Sequence, residues 1–254
     1  MNPINKNFIT AFNLKIHPWT MEETLAYIEA NVISHNINMQ HMVINAAVIV
    51  YAHKNIKLRN AINNSDLINI DGIPVVWALR FLGHKIPERV AGVELFQNLV
   101  QLCAEKNYKP YFLGAEQSVL NEMIERFKIK HPKLNIAGSH HGYYTENEEK
   151  KIADDIKKSK ADMLFIGIAS PKKELFLDKY TKYMDVSFSI GVGGAFDVLS
   201  GKTKRAPLWM QKIGMEWFFR FLQEPKRMWK RYLITNTLFF KYLIKEKFSV
   251  KRSL

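Results

Sequence analysis

The chain has 254 residues, 47% of them hydrophobic, and carries 37 Lys and Arg against 24 Asp and Glu for a formal charge of +13. That length and apolar content are enough for a full hydrophobic core, which excludes a disordered chain and favours one α/β domain with an appendage over two equal domains. The single cysteine, Cys103, excludes internal disulfides and any all-cysteine metal site.

At the N-terminus no basic stretch is joined to a continuous apolar segment and a small-residue cleavage site, so a secretory signal is not expected and the protein is expected in the cytosol. The longest uncharged stretch, Asn31 to His53, is broken by Asn36, Asn38, Gln40, His41 and Asn45, and a membrane span is not expected there. Further along, short apolar runs at 42–45, 67–70, 110–113, 134–138, 162–168 and 186–192 are predicted as strands, with amphipathic stretches between them long enough for crossover helices. One such stretch places Cys103 on a stripe with Leu95, Leu99 and Leu102, where it serves packing. This alternation is the βαβ rhythm of a Rossmann-like, doubly wound parallel sheet, assigned to residues 1–201. Ligands of such sheets sit beyond the carboxyl ends of the strands.

The predicted strand ends carry Asn45, Asp71-Gly72, Gly114, Ala169-Ser170-Pro171-Lys172 and Gly193-Gly194-Ala195-Phe196-Asp197. Small residues admit a ligand close to the backbone, and amides at a helix start receive phosphate, so the pattern suits a nucleotide or nucleotide sugar. Gly191-Val192-Gly193-Gly194-Ala195-Phe196 is not a dinucleotide fingerprint, because Phe196 stands where a third small residue should be, and a tight turn without ligand is the lesser alternative to a ligand-binding one. Asp71 reads either as a general base on a hydroxyl or as a cap of the helix that begins near Pro74. Arg89 reads either as a bidentate diphosphate clamp or as a solvated loop cation. The adjacent His140 and His141, and the pair His35 and His41, have no metal-ligand spacing.

After the segment Gly201 to Pro207 the charge balance changes. Residues 202–254 hold 14 Lys and Arg against three acids, Glu216, Glu224 and Glu246, interleaved with aromatic residues from Trp209 to Phe248. On a helical wheel Arg227, Lys230, Lys241 and Lys245 lie together and Met228, Tyr232, Phe239 and Leu243 roughly opposite, the pattern of a basic amphipathic helix on an anionic membrane surface. Packing of the apolar face on the core or on another subunit is the alternative, which leaves a homo-oligomer open.

The ordered set Asp71-Gly72, Pro87-Glu88-Arg89-Val90-Ala91-Gly92, Phe112-Leu113-Gly114, Ser170-Pro171-Lys172 with Glu174, Gly191 to Asp197, Gly201, Arg205-Ala206-Pro207, Glu216-Trp217 with Arg220, and Glu224-Pro225 with Arg227 resembles the WecG/TagA/CpsF family of bacterial glycosyltransferases. The resemblance extends over about residues 40–231. It implies an inverting transfer of an N-acetylmannosamine-type or related hexose from a UDP-sugar donor to a polyprenyl-diphosphate-linked acceptor, in cell-surface polysaccharide or teichoic acid synthesis. It further implies a peripheral location on the inner face of the cytoplasmic membrane, no cofactor and no metal, in keeping with the missing D-x-D signature.

By the same resemblance Asp71 would be the base on the acceptor hydroxyl and Arg89 would hold the donor diphosphate. Asn45, Gly72, Gly114, Lys172, Lys173, Glu174, Gly193, Gly194, Asp197 and Arg205 would contact substrate. Arg220, Arg227, Lys230 and Arg231 of the appendage would meet the lipid diphosphate or the membrane. The chain departs from the family at Lys173, where many members have Gln, and at Val43, where some have Thr, which leaves the sugar open. A nucleic-acid-binding protein with a basic arm is the rival reading of the tail; it needs neither Asp71, nor Arg89, nor the Gly193-Gly194 turn.

Overall fold

The computed structural model of the protein describes residues 7–34 and 37–250. The described chain opens with an antiparallel hairpin, β1 (Ile9–Ala11) and β2 (Leu14–Ile16), and continues through α1 (Met21–Ser34), β3 (Met39–Ile44), α2 (Ala46–Lys54), α3 (Ile56–Asn63), β4 (Leu67–Ile70) and α4 (Ile73–Phe81). Then come α5 (Gly92–Lys106), β5 (Pro110–Gly114), α6 (Gln117–Lys130), β6 (Gly138–His140), α7 (Glu149–Ser159), β7 (Met163–Gly167), α8 (Lys172–Met184), β8 (Phe188–Gly191) and α9 (Ala195–Leu199). Three helices complete it: α10 (Leu208–Lys212), α11 (Glu216–Gln223) and α12 (Pro225–Val250).

Strands β3 to β8 form one sheet in the order β4-β3-β8-β7-β5-β6, with every pair parallel. The period of two decides how it is covered. In β7, Leu164 and Ile166 face one core while Met163 and Phe165 face the other. The first core is closed by α2, α3, α4, α7, α8 and α12, the second by α1, α5, α6 and α9, so both faces are dry and the fold is a Rossmann-like doubly wound α/β sheet. Cys103 is buried in the second core with its Sγ 3.4 Å from Met163 Sδ, and burial pushes its thiol pKa up, as a packing residue should show.

Three differences from the sequence reading have physical causes. Strand β3 begins three residues before the predicted 42, because Gln40 and His41 are buried polar residues with partners. The His41 ring Nε2 lies 2.7 Å from Asn69 Oδ1, and the Gln40 backbone N–H donates to Asp66 Oδ2 at 2.8 Å. The stretch predicted at 134–138 pairs only from Gly138, whose missing side chain makes room for the Tyr111 ring, 2.7 Å from where a Cβ would stand. The N-terminal hairpin was not foreseen at all. Its turn places Phe12 and Asn13 at φ 54° and 59°, a hairpin geometry that usually calls for Gly or Asn. Phe12 is held there from outside: its ring lies 5.7 Å from Phe239 and its amide donates to Glu246 Oε1 at 2.9 Å, both on α12.

Helix α12 runs back along α2, with His53 and Tyr242 stacked at 3.9 Å, and it carries Met228 and Phe239 into the interior. Its Lys230, Lys241 and Lys245 stay exposed, so the two faces inferred from the helical wheel are present. Among the described residues no helix is long and apolar enough to cross a membrane.

Candidate active site

Beyond the carboxyl ends of β3, β4, β7 and β8, and under α11 and α12, lies one cavity of about 1150 Å³. Asp71 enters it directly from the end of β4, held by its own amide, which donates to Ile44 O at 2.8 Å. The cap of α4 is Gly72, at φ 126° with no side-chain hydrogen bond, and Pro74 sits in the first turn. Asp71 is therefore not used as a cap, and its half-buried carboxylate faces the cavity. Burial raises its pKa to about 6; Arg89 opposes the rise, whereas Glu216 adds to it. A backbone hydrogen bond from Gly92, at the start of α5, also works against the rise.

Arg89, from the segment before α5, is not a solvated loop cation. Its side chain is 15% exposed, and it donates through Nη1 to Glu216 Oε2 at 3.0 Å and through Nη2 to Gln211 Oε1 at 3.1 Å. Glu216 also meets Arg205 at 3.5 Å, and Arg205 meets Glu94 at 2.5 Å. Two cavity arginines thus converge on one carboxylate of α11, so the appendage is joined to the main domain at the site itself. Arg220, one turn further along α11, lies against the backbone of Gly194, where a Cβ would come within 2.8 Å of Nη2. Its Nε is buried with no hydrogen-bond partner among the described residues, an unmet donor beside the cavity.

Asn45 lines the cavity and also caps α2, its Oδ1 accepting from the Val48 amide at 3.1 Å. Gly72, Lys173, Gly193, Gly194, Asp197, Arg205 and Arg231 line it as well. Lys173, the residue that departs from Gln, is buried with its stem over Gly191 and its Nζ 2.6 Å from Ser170 Oγ, and it is ion-paired with buried Glu174. Its charge is thereby neutralised from within. Val43, the other departure, forms part of the apolar floor. Phe196, which spoils the dinucleotide fingerprint, lies flat over Gly167, where a Cβ would be 2.6 Å from the ring.

Three expected substrate contacts are placed elsewhere. Gly114 does not reach the cavity; it admits the backbone of Gly167, whose carbonyl oxygen would be 2.5 Å from a Cβ. Lys172 turns away, its Nζ donating to Tyr144 O at 2.6 Å above the Tyr144 ring. Glu174 stands behind Lys173 rather than on the cavity wall. Lys230, expected at the lipid diphosphate or the membrane, is off the cavity wall and exposed on the outer side of α12. The side chain of Arg227 lies outside the described residues. Conversely, Glu216 and Gln211 were not expected as site residues, although the Glu216-Trp217 motif was noticed; Trp77, Phe81 and Tyr143 on the cavity wall carried no signal at all.

A wall with the four arginines Arg89, Arg205, Arg220 and Arg231 about a half-buried carboxylate can receive a diphosphate and accept a proton close to it. The chain matches the glycosyl transferase WecG/TagA/CpsF family over residues 9–253. It is 33% identical over 209 residues, 82% of this chain and 80% of the relative, to the N-acetylglucosaminyldiphosphoundecaprenol N-acetyl-beta-D-mannosaminyltransferase of Bacillus spizizenii. To the protein of the same name from Bacillus subtilis it is 31% identical over 207 residues, again 82% of this chain and 80% of the relative. The chain belongs to the WecG/TagA/CpsF family of glycosyltransferases.

Proposed function

We propose that this member of the WecG/TagA/CpsF family transfers N-acetylmannosamine from a UDP-sugar to a polyprenyl-diphosphate-linked N-acetylglucosamine. The names of the two Bacillus relatives supply acceptor and sugar. The observation that carries the mechanism is the half-buried Asp71 carboxylate, raised to about 6, in the same cavity as Arg89, Arg205 and Arg220. A carboxylate of that pKa is ionised at neutral pH yet basic enough to take a proton from a hydroxyl as its oxygen becomes a nucleophile.

In the proposed reaction the acceptor hydroxyl gives its proton to Asp71 as its oxygen bonds to the anomeric carbon of the donor. The bond from that carbon to the donor diphosphate breaks on the opposite face, which inverts the configuration. The electron pair leaves with UDP, and the growing negative charge on the diphosphate is met by Arg89 and Arg220. Arg89 has five N–H donors and gives one each to Glu216 and Gln211, so it is oriented and still has donors for an anion. The unmet Nε of Arg220 suits the same charge.

No step of this scheme calls on a metal ion or a cofactor, because the arginines supply the positive charge. Peripheral attachment to the inner face of the cytoplasmic membrane follows from the same reading. Lys226, Lys230, Lys241 and Lys245 are exposed along α12 beside Trp229, Leu233 and Phe240. Near an anionic leaflet each such cation contributes about 1 kcal/mol. The nucleic-acid reading of the tail loses its ground with family membership, because that membership accounts for Asp71, Arg89 and the glycine turn together.

The test is UDP release from UDP-N-acetylmannosamine with prenyl-diphosphate-N-acetylglucosamine as acceptor. Release that depends on acceptor and is lost in Asp71→Asn is the expected result. Equal release by Asp71→Asn would remove the base from the mechanism.

A further inference from the structure

The cavity has a second, apolar half. From Asp71 and Arg89 it continues between α4 and α12, where its wall is Trp77, Phe81, Tyr232, Phe240 and Leu243. Three of these rings are more than half exposed: Trp77 at 52%, Phe81 at 53% and Phe240 at 64%. Large rings left open to solvent along a groove mark a place where an apolar partner lies. On α12 the lining residues Tyr232, Phe239 and Leu243 share one side of the helix, with Arg231 and Phe240 at its two edges, and at 1.5 Å per residue the stretch from Arg231 to Leu243 is about 18 Å long. At the outer end Lys247 ties the two walls together, donating to Phe81 O at 2.7 Å over the Phe81 ring.

We infer that this groove holds the first isoprene units of the polyprenyl acceptor, a role that rests on the transferase reading above. The groove is continuous with the cavity that contains Asp71, and its inner end is lined by Arg220 and Arg231. A polyprenyl diphosphate has the same sequence of chemistry along its length: an anionic head joined covalently to a thin, branched apolar chain. Cations therefore lie at the head end and rings along the chain, and the distance between them is set by α12. A bilayer covering these rings from outside would account for their exposure but not for their opening onto the catalytic cavity.

The experiment is calorimetric titration of the full chain with farnesyl diphosphate and with ethyl diphosphate, in buffer free of lipid and detergent. Both probes have the charged head; only one has a prenyl chain. Farnesyl diphosphate is expected to bind at least tenfold more tightly, and the double variant Phe81→Ser, Phe240→Ser is expected to remove that advantage while ethyl diphosphate binds as before. Both positions are exposed, so the variant is expected to fold; its circular dichroism and melting curve check this. Equal affinities for the two probes, or binding of neither, would overturn the groove. So would a farnesyl advantage that persists in a folded double variant, and if that variant also lost binding to anionic vesicles, the rings would belong to the leaflet instead. The titration needs no turnover: a chain that shows the prenyl preference but transfers no sugar would contradict the transferase reading and keep the groove.

Discussion

Asp71 concentrates the consequences at the scale of a single residue. Its pKa is raised from 3.8 to about 6, so between those values the folded protein binds a proton more tightly than the unfolded chain, and stability falls as pH rises through that window. At neutral pH the ionised carboxylate is destabilising. Asp71→Asn is therefore expected to stabilise the protein at pH 7.5 by about 1–2 kcal/mol after allowance for partial exposure, with the gain shrinking toward pH 4, as read from melting curves at each pH. The same variant is expected to lose at least about a hundredfold in transfer rate, and wild-type activity is expected to rise with pH through about 6. Lys173 gives the opposite case: Lys173→Met leaves buried Glu174 without its cation and is expected to cost about 3 kcal/mol in denaturant unfolding. The position of Asp71 at a strand end was legible in the sequence, because a carboxylate directly after an apolar run is a local pattern. Its shifted pKa was not, since Arg89, Glu216 and Glu94 reach it from three separate segments.

At the scale of elements, the period of two and the spacing of the helical stripes made the parallel sheet legible, but not its strand order, which depends on contacts between distant segments. The three-residue strands of the N-terminal hairpin are too short for a periodic signal, and their turn has no glycine to announce it. Gly114 shows how a correct motif can carry a mistaken role. Its value lies in the approach of β5 to β7, because a Cβ would run into the carbonyl of Gly167 at 2.5 Å and its φ of 149° is strained for any other residue. Gly114→Ala is expected to destabilise the protein by about 2–4 kcal/mol, measured by denaturant unfolding, while the protein that remains folded keeps its affinity for UDP-sugar. A loss of UDP-sugar affinity in folded protein would return Gly114 to the site.

For the whole molecule, the uneven charge is the organising feature. Residues 1–201 carry 23 bases against 21 acids, whereas 202–254 carry 14 against three, so the appendage brings most of the positive field to the mouth of the cavity. The charge itself was plain in the sequence, but how the appendage closes over the site was not, because the joint is made by Glu216 with Arg89 and by Arg205 with Glu94, each across more than a hundred residues of chain. Binding to anionic vesicles is expected to weaken steeply between low and physiological salt, and Lys230→Glu with Lys241→Glu to weaken it further in a sedimentation assay. The central claim, a glycosyl transfer with Asp71 as base, is tested most directly by the pH profile of acceptor-dependent UDP release from UDP-N-acetylmannosamine, wild type beside Asp71→Asn. The account requires a rise through about pH 6 in the wild type and a flat, strongly reduced profile in the variant. Release that is independent of acceptor, or an identical profile in both proteins, would contradict it.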